Sequence, residues 1–156
     1  MTPEQKAKEL GIEFPEQQKG YLNLCCRAGN LYFLSGHVSD MKGILGDSSQ
    51  RQASLKNLSV AEGQKAAREC AVKLLRSVRQ ANGTLDGLRI IKLLGCVYSA
   101  PNFTDQHLVI NGASDLFHEI FGKEGDGYHA RSALGFAALP TGAAVEVEAI
   151  IEIKHA

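Results

Sequence analysis

The polar and apolar positions alternate most regularly near the end of the chain. Val145, Val147, Ala149, Ile151 and Ile153 share one parity, and Glu146, Glu148, Ile150, Glu152 and Lys154 share the other. A period of two is that of a strand with one buried face. The stretch before it divides Arg131, Ala133, Gly135 and Ala137 from Ser132, Leu134, Phe136 and Ala138. One long cation therefore stands on a face that is otherwise small or bare. Pro140, Thr141 and Gly142 separate the two strands. Pro fixes φ and Gly permits positive φ, so this is turn punctuation, and it predicts a closing hairpin.

Upstream, residues 3–11 predict a short polar helix stopped by Gly11, with Pro15 breaking any continuation. Residues 20–27 and 31–37 read as two strands linked at Ala28-Gly29-Asn30. Leu31-Tyr32-Phe33-Leu34 is apolar on both parities, which predicts cover on both faces. Residues 38–58 show no period; so long a loop is either functional or an ordinary surface excursion. Ser59 followed by Glu62 is a capping box, opening a helix to about Ala81 that stops at Asn82-Gly83. Val60, Ala67, Ala71, Leu74 and Val78 make one helical face. Residues 86–99 predict a long apolar strand ended by Pro101. Thr104 or Asp105 can cap a second helix to about Phe121, with Gly122 beyond it. A Gly-rich acidic loop, 123–127, leads into the closing strands. The order β-β-α-β-α-β-β predicts an α+β domain, two helices on one face of a mixed sheet. The other face lacks cover from this chain, which predicts self-association.

Length and composition bound this picture. The chain has 156 residues, 44% of them hydrophobic and 22% charged, which suits a single domain with a sizeable core. We read residues 1–156 as that domain, 1–19 being an N-terminal helical extension and 20–153 the core. Seventeen basic and 17 acidic residues give zero formal charge, which argues against affinity built on neutralising phosphates. Cys25, Cys26, Cys70 and Cys96 form no C-x-x-C pair. They read as small buried hydrophobes in a reducing compartment, or one of the adjacent pair lines a site. No apolar run approaches a membrane span and the N-terminus lacks a signal-like core, so the expected location is cytoplasmic. His107 and His118 share a helix without a carboxylate in ligand pattern, so no metal site is expected.

The candidate chemistry lies in the closing strands. On pattern alone Arg131 is either a surface cation beside a solvated glutamate face, or a cation and a carboxylate brought together in a cleft. The second arrangement suits a small carboxylate-bearing substrate. The guanidinium offers a planar fork to the carboxylate, and a nearby Glu positions a water.

His129-Ala-Arg-Ser-Ala, then Leu139-Pro140 and Val145-Glu-Val-Glu-Ala-Ile, resembles the closing motif of the RidA/YjgF family, the reactive-intermediate deaminases also known as L-PSP endoribonucleases. Ala28-Gly29-Asn30 through Ser35-Gly36-His37 resembles that family's early strand, and Ser99-Ala100-Pro101-Asn102-Phe103 with Val109-Ile110-Asn111-Gly112-Ala113-Ser114 resembles the approach to its second helix. The resemblance covers about residues 20–153. It implies a chorismate-mutase-like homotrimer with clefts between subunits. It also implies cofactor-free hydrolysis of a 2-imino or enamine carboxylate to a 2-keto acid and ammonia. Arg131 matches the residue holding the substrate carboxylate, and Glu146 the one orienting water. Asn111 matches an Asn of the second helix, and Ser35 a Ser near the cleft floor.

The chain also departs from the family pattern. Ala133 stands where deaminating members carry Cys, Tyr21 is offset from their cleft Tyr, and His37 replaces Gln. His37 is a candidate proton donor or a strand-end surface residue, and His129 a candidate second cation. These departures point to a branch with its own substrate. Two alternatives to the deaminase stand: an endoribonuclease or translation inhibitor, and a non-catalytic trimer binding small metabolites.

Overall fold

The computed structural model describes residues 1–49 and 53–154. In chain order the elements are α1 (Pro3–Glu9), β1 (Cys25–Ala28), β2 (Leu31–Val38), the short β3 (Ile44–Leu45) and β4 (Asn57–Leu58), α2 (Val60–Asn82), β5 (Leu88–Tyr98), α3 (Gln106–Phe121), β6 (Ala130–Phe136) and β7 (Val145–Ile153). The main sheet runs β1-β2-β7-β5-β6. Its neighbours are antiparallel except β5 and β6, which are parallel. It is a mixed sheet with α2 and α3 packed on one face.

The Ser59 capping signal acts as read, and α1 carries a capping box of its own. Thr2 and Gln5 close a capping box on α1, and Ser59 and Glu62 close one on α2, which ends at Gly83 in the left-handed region. Asp105 is the residue before α3, but its side chain makes no capping hydrogen bond. The buried parity of each strand meets the helices. Leu93 and Val97 of β5, with Val145, Val147 and Ile151 of β7, are fully buried against Leu74, Leu75, Ile110 and Phe117. At Gly112 a Cβ would collide with the Gln64 carbonyl, so the missing side chain lets α3 lie directly on α2. Helix α1 joins the same core through Ala7, and Glu4 pairs with Arg79 of α2 at 3.0 Å.

The structure corrects several expectations. The closing strands form no hairpin: β5 lies between β6 and β7 and pairs with both. The link between them, 137–144, is too long for a tight hairpin turn. It carries Pro140–Gly142 as a single 3₁₀ turn, with both Thr141 and Gly142 at positive φ, across the end of β5. The first strand begins at Cys25, and residues 20–24 precede it as irregular chain. Phe33 is 44% exposed, so this chain by itself covers the second strand on one face. The 38–58 stretch holds the parallel pair β3/β4, and residues 50–52 within it lie outside those described.

Candidate functional site: the Arg131 cleft and the outer glutamate

The register decides which face each candidate occupies. Arg131 pairs with Leu93 and Ala133 with Gly95, so both belong to the face that meets the helices. Glu146 pairs with Cys96, which pairs in turn with Leu134, on the opposite face. Arg131 and Glu146 therefore do not share a space within one chain. The expectation that two adjacent strands would aim them together fails because β5 intervenes.

Arg131 stands on the edge strand, where α3 passes over it. Its Nη1 donates to Asn111 Oδ1 at 2.9 Å and to Ser114 Oγ at 3.1 Å, and its Nη2 donates to the His107 carbonyl at 3.3 Å. Asn111 and Ser114 are three residues apart, so they share a helix face. Every acceptor is neutral, and among the described residues no carboxylate pairs with Arg131. A guanidinium has five N–H donors. Three are engaged, which leaves the Nε–H and one Nη2–H for the two oxygens of an anion. Beside it opens a cleft of about 360 Å³ lined by Ser114, His118, Lys123, Tyr128 and His129 among others.

His129 completes the wall. Its Nδ1 lies 2.6 Å from the Gly127 carbonyl, which can only accept, so Nδ1 carries the proton. Its Nε2 then accepts from the Ser114 hydroxyl at 2.9 Å. Burial is the main cause holding the His129 pKa below the usual histidine value; the Gly127 hydrogen bond opposes it, and nearby His118 and Arg131 add to it. In the neutral tautomer that these contacts select, His129 accepts from Ser114; the candidate second cation would need the ring protonated, which burial opposes.

On the outer face, Glu146 is half-buried and its carboxylate accepts no hydrogen bond among the described residues. Its carboxylate lies where a side chain on Gly36 would be, so a larger residue at that position would have to push the carboxylate aside. Burial first, and Glu148 second, raise its pKa above the ordinary carboxylate value. Around it the face is uncovered: Phe33, Leu134 and Phe136 are exposed, with Leu94, Cys96 and Ile150 half-buried among them.

The chain matches the family Endoribonuclease L-PSP over residues 12–153. It belongs to that family, the RidA/YjgF proteins. Protein TCP17 of Trypanosoma cruzi is 42% identical over 154 residues, 95% of this chain and 92% of that protein. The crystal structure of Atu1372 from Agrobacterium tumefaciens matches with a TM-score of 0.80 and 38% identity, covering 98% of this chain and 92% of that one. A Shewanella oneidensis protein whose name proposes an endoribonuclease matches with a TM-score of 0.81 and 25% identity, covering 97% and 99%.

Within this L-PSP-family chain the candidate residues fall into separate places. Arg131 and Asn111 meet. Ala133 lies on the Arg131 face but packs against the core beside Gly95. Ser35 lies across the sheet, where its hydroxyl donates to the Asn23 carbonyl at 2.9 Å. His37 is neither a surface residue nor a neighbour of Arg131. It is buried under α2, with Nε2 2.8 Å from Ser77 Oγ and Nδ1 2.5 Å from the Ser35 carbonyl. The bulge between Leu34 and His37 turns it inward. Tyr21 is fully exposed beside a second cleft of about 580 Å³ that Ser77 and Gln80 also line. Cys26 is exposed, contrary to its reading as a buried hydrophobe, and all four cysteines are free thiols. Sequence reasoning missed Ser114, although its spacing from Asn111 was the available signal. Among the described residues no helix is long and apolar enough to cross a membrane, and no three His, Cys, Asp or Glu gather as a metal site.

Proposed function

We propose that the protein hydrolyses small 2-imino or enamine carboxylates to 2-keto acids and ammonia, with Arg131 holding the carboxylate. One observation carries the reading: a half-buried guanidinium that, among the described residues, has only neutral partners and two uncommitted donors, at the wall of an open cleft. A charge-assisted pair of this kind contributes about 1.5–3 kcal/mol to binding. That suffices to orient the substrate. The iminium carbon is already electrophilic, so the remaining tasks are placing a water and moving protons.

Family analogy assigns the water to Glu146, but within one chain that residue faces the other side of the sheet. Its participation requires copies of the chain to assemble. The exposed apolar side chains around it, and its unpartnered carboxylate, support an assembly that covers this face, and the family pattern favours a homotrimer. Light scattering coupled to size exclusion checks the mass. An endoribonuclease reading rests on the names of relatives. The outer face carries Glu146, Glu148 and Glu152 against Arg89 and Lys92, and Arg89 is already paired with Glu152 at 3.1 Å, which suits a polyanion poorly.

The activity is tested by ammonia release from 2-iminopropanoate, generated in place, with wild type and Arg131→Ala. Equal rates above the uncatalysed background would remove Arg131 from the reaction.

A further inference from the structure

The Arg131 cleft holds a proton-accepting group of its own, on the same side of the sheet as the guanidinium. The donors and acceptors can be counted atom by atom. The Gly127 carbonyl accepts from His129 Nδ1–H, so Nε2 is bare. Ser114 has a single hydroxyl proton, and it points to that Nε2 at 2.9 Å. One Ser114 lone pair accepts from Arg131 Nη1 at 3.1 Å. The second lone pair has no partner among the described residues. Ser114 lines the cleft, and His129 forms its wall in contact with the rings of Phe117 and His118. A hydroxyl with its proton on an imidazole, the imidazole in turn oriented by a third group, is the arrangement that activates an oxygen for proton transfer.

We infer that Ser114 and His129 form the proton relay of the Arg131 cleft, with Ser114 touching the attacking water and His129 acting through it. The inference rests on the reading of Arg131 as the carboxylate holder and assigns to this pair the task otherwise given to Glu146. A water that donates to the free Ser114 lone pair stands next to a carboxylate bound on Arg131. Its oxygen forms a bond to the iminium carbon, and the C=N π pair moves to nitrogen. The water proton passes to Ser114 Oγ as the Ser114 proton passes to His129 Nε2, giving imidazolium. The relay then runs backward, delivering that proton to the carbinolamine nitrogen. The C–N pair leaves with nitrogen, the carbinolamine oxygen forms the carbonyl, and its proton ends on ammonia. The products are the 2-keto acid and ammonium, with no oxidant or reductant required.

The relay works only with His129 neutral. The charged or titratable groups around it are His118 and Asp115 on α3, Lys123 in the turn after it, and Tyr128 and Arg131 beside it in the chain. Lys92 of the neighbouring β5 has the parity of the opposite face.

The test is the pH profile of ammonia release in wild type, Ser114→Ala, Ser114→Thr, His129→Gln, His118→Gln and Glu146→Gln. Wild type loses kcat in acid, with a midpoint below the ordinary histidine value of 6.5. Ser114→Ala and His129→Gln lower kcat by about 100-fold, the lower end for a general acid–base group, and erase the acid limb. KM of His129→Gln stays within about threefold, because Arg131 keeps its acceptors; Ser114→Ala loses one acceptor of Nη1, and Ser114→Thr, which keeps that hydroxyl, separates this effect from the relay. Ser114→Thr restores the limb, and His118→Gln retains it. Arg131-dependent release that survives Ser114→Ala with its limb intact overturns the relay alone, as does loss of the limb in Glu146→Gln. Wild type without release above background overturns both the relay and the deaminase reading. Nitrogen-15 spectra of the His129 ring provide a readout that does not depend on the variants. A proton on Nδ1 supports the relay, and a proton on Nε2 in the neutral ring overturns it.

Discussion

Arg131 and Glu146 are both half-buried charges without an ionic partner among the described residues, and the sheet separates them. The guanidinium faces α3, which supplies a side-chain amide, a hydroxyl and a carbonyl as acceptors. Glu146 faces the side this chain leaves bare, and its carboxylate accepts nothing among the described residues. Hydrogen bonds from neutral dipoles keep a charge ionised without cancelling it, whereas burial without them favours the neutral form. The helix side therefore supports its charge with neutral acceptors from this chain, and the outer side leaves its charge without any donor from this chain. A cation whose partners are all neutral is available to a ligand, and a carboxylate without donors awaits either a proton or a neighbouring chain.

The largest expected contrast between the two sides lies in packing. Phe117 is fully buried beneath the cleft, and Phe117→Ala is expected to lower unfolding stability by about 3–5 kcal/mol. Leu134, on the bare side, is 49% exposed, and Leu134→Ser is expected to change the stability of the isolated chain by no more than about 0.5 kcal/mol while weakening association. Urea unfolding at low concentration, with size exclusion beside it, checks both. Similar stability losses would erase the distinction between the faces.

Next in size is the guanidinium itself. Arg131→Ala is expected to raise KM for an imino carboxylate by about 10- to 150-fold, the equivalent of about 1.5–3 kcal/mol. Arg131→Lys is expected to fall between, because an ammonium lacks the planar fork. Steady-state kinetics decide the order; a lysine variant equal to wild type would mean that charge alone suffices.

The two sides also differ in the sign of their pH response. His37 and His129, on the helix side, have pKa values lowered chiefly by burial. Between their folded values and 6.5 the unfolded chain binds more protons, so their contribution is present above 6.5 and is lost as pH falls through that window. His37→Gln is expected to flatten that acid loss in unfolding experiments between neutral and mildly acidic pH. A slope unchanged by the substitution would mean that His37 keeps its ordinary affinity for protons when buried.

The smallest effect is expected at Glu146, whose pKa is raised by burial and Glu148. Above 4.5 and up to its folded value the native chain binds more protons than the unfolded one, so stability falls as pH rises through that window. Glu146→Gln removes this fall. A carboxylate that instead stabilises with rising pH has found a donor, and comparing dilute with concentrated protein shows whether a second chain supplies it.

Much of the fold was legible because local rules act over a few residues. The capping box at Ser59, the stop at Gly83 and the alternation of Val145 to Ile153 each rest on neighbours within a turn or a pleat. The parity of Arg131 was also readable, since a strand alternates whatever pairs with it. Strand order was not. Pro140-Thr141-Gly142 reads as a hairpin turn, but whether the strands on either side pair depends on where β5 inserts, and the chain closes that contact over tens of residues. The same non-local choice put His37 in the core, because the bulge before it is set by pairing with β7.

By itself, then, the sequence determined the elements, their buried parities and the Arg-bearing motif of an L-PSP-family chain. The tertiary structure decided which side chains meet: Ser114 and His129 with Arg131, and Glu146 on the far side of the sheet. The physical reason is range. Dihedral preference and side-chain alternation are written locally, whereas a binding wall is made by elements distant in the chain that only packing brings into contact.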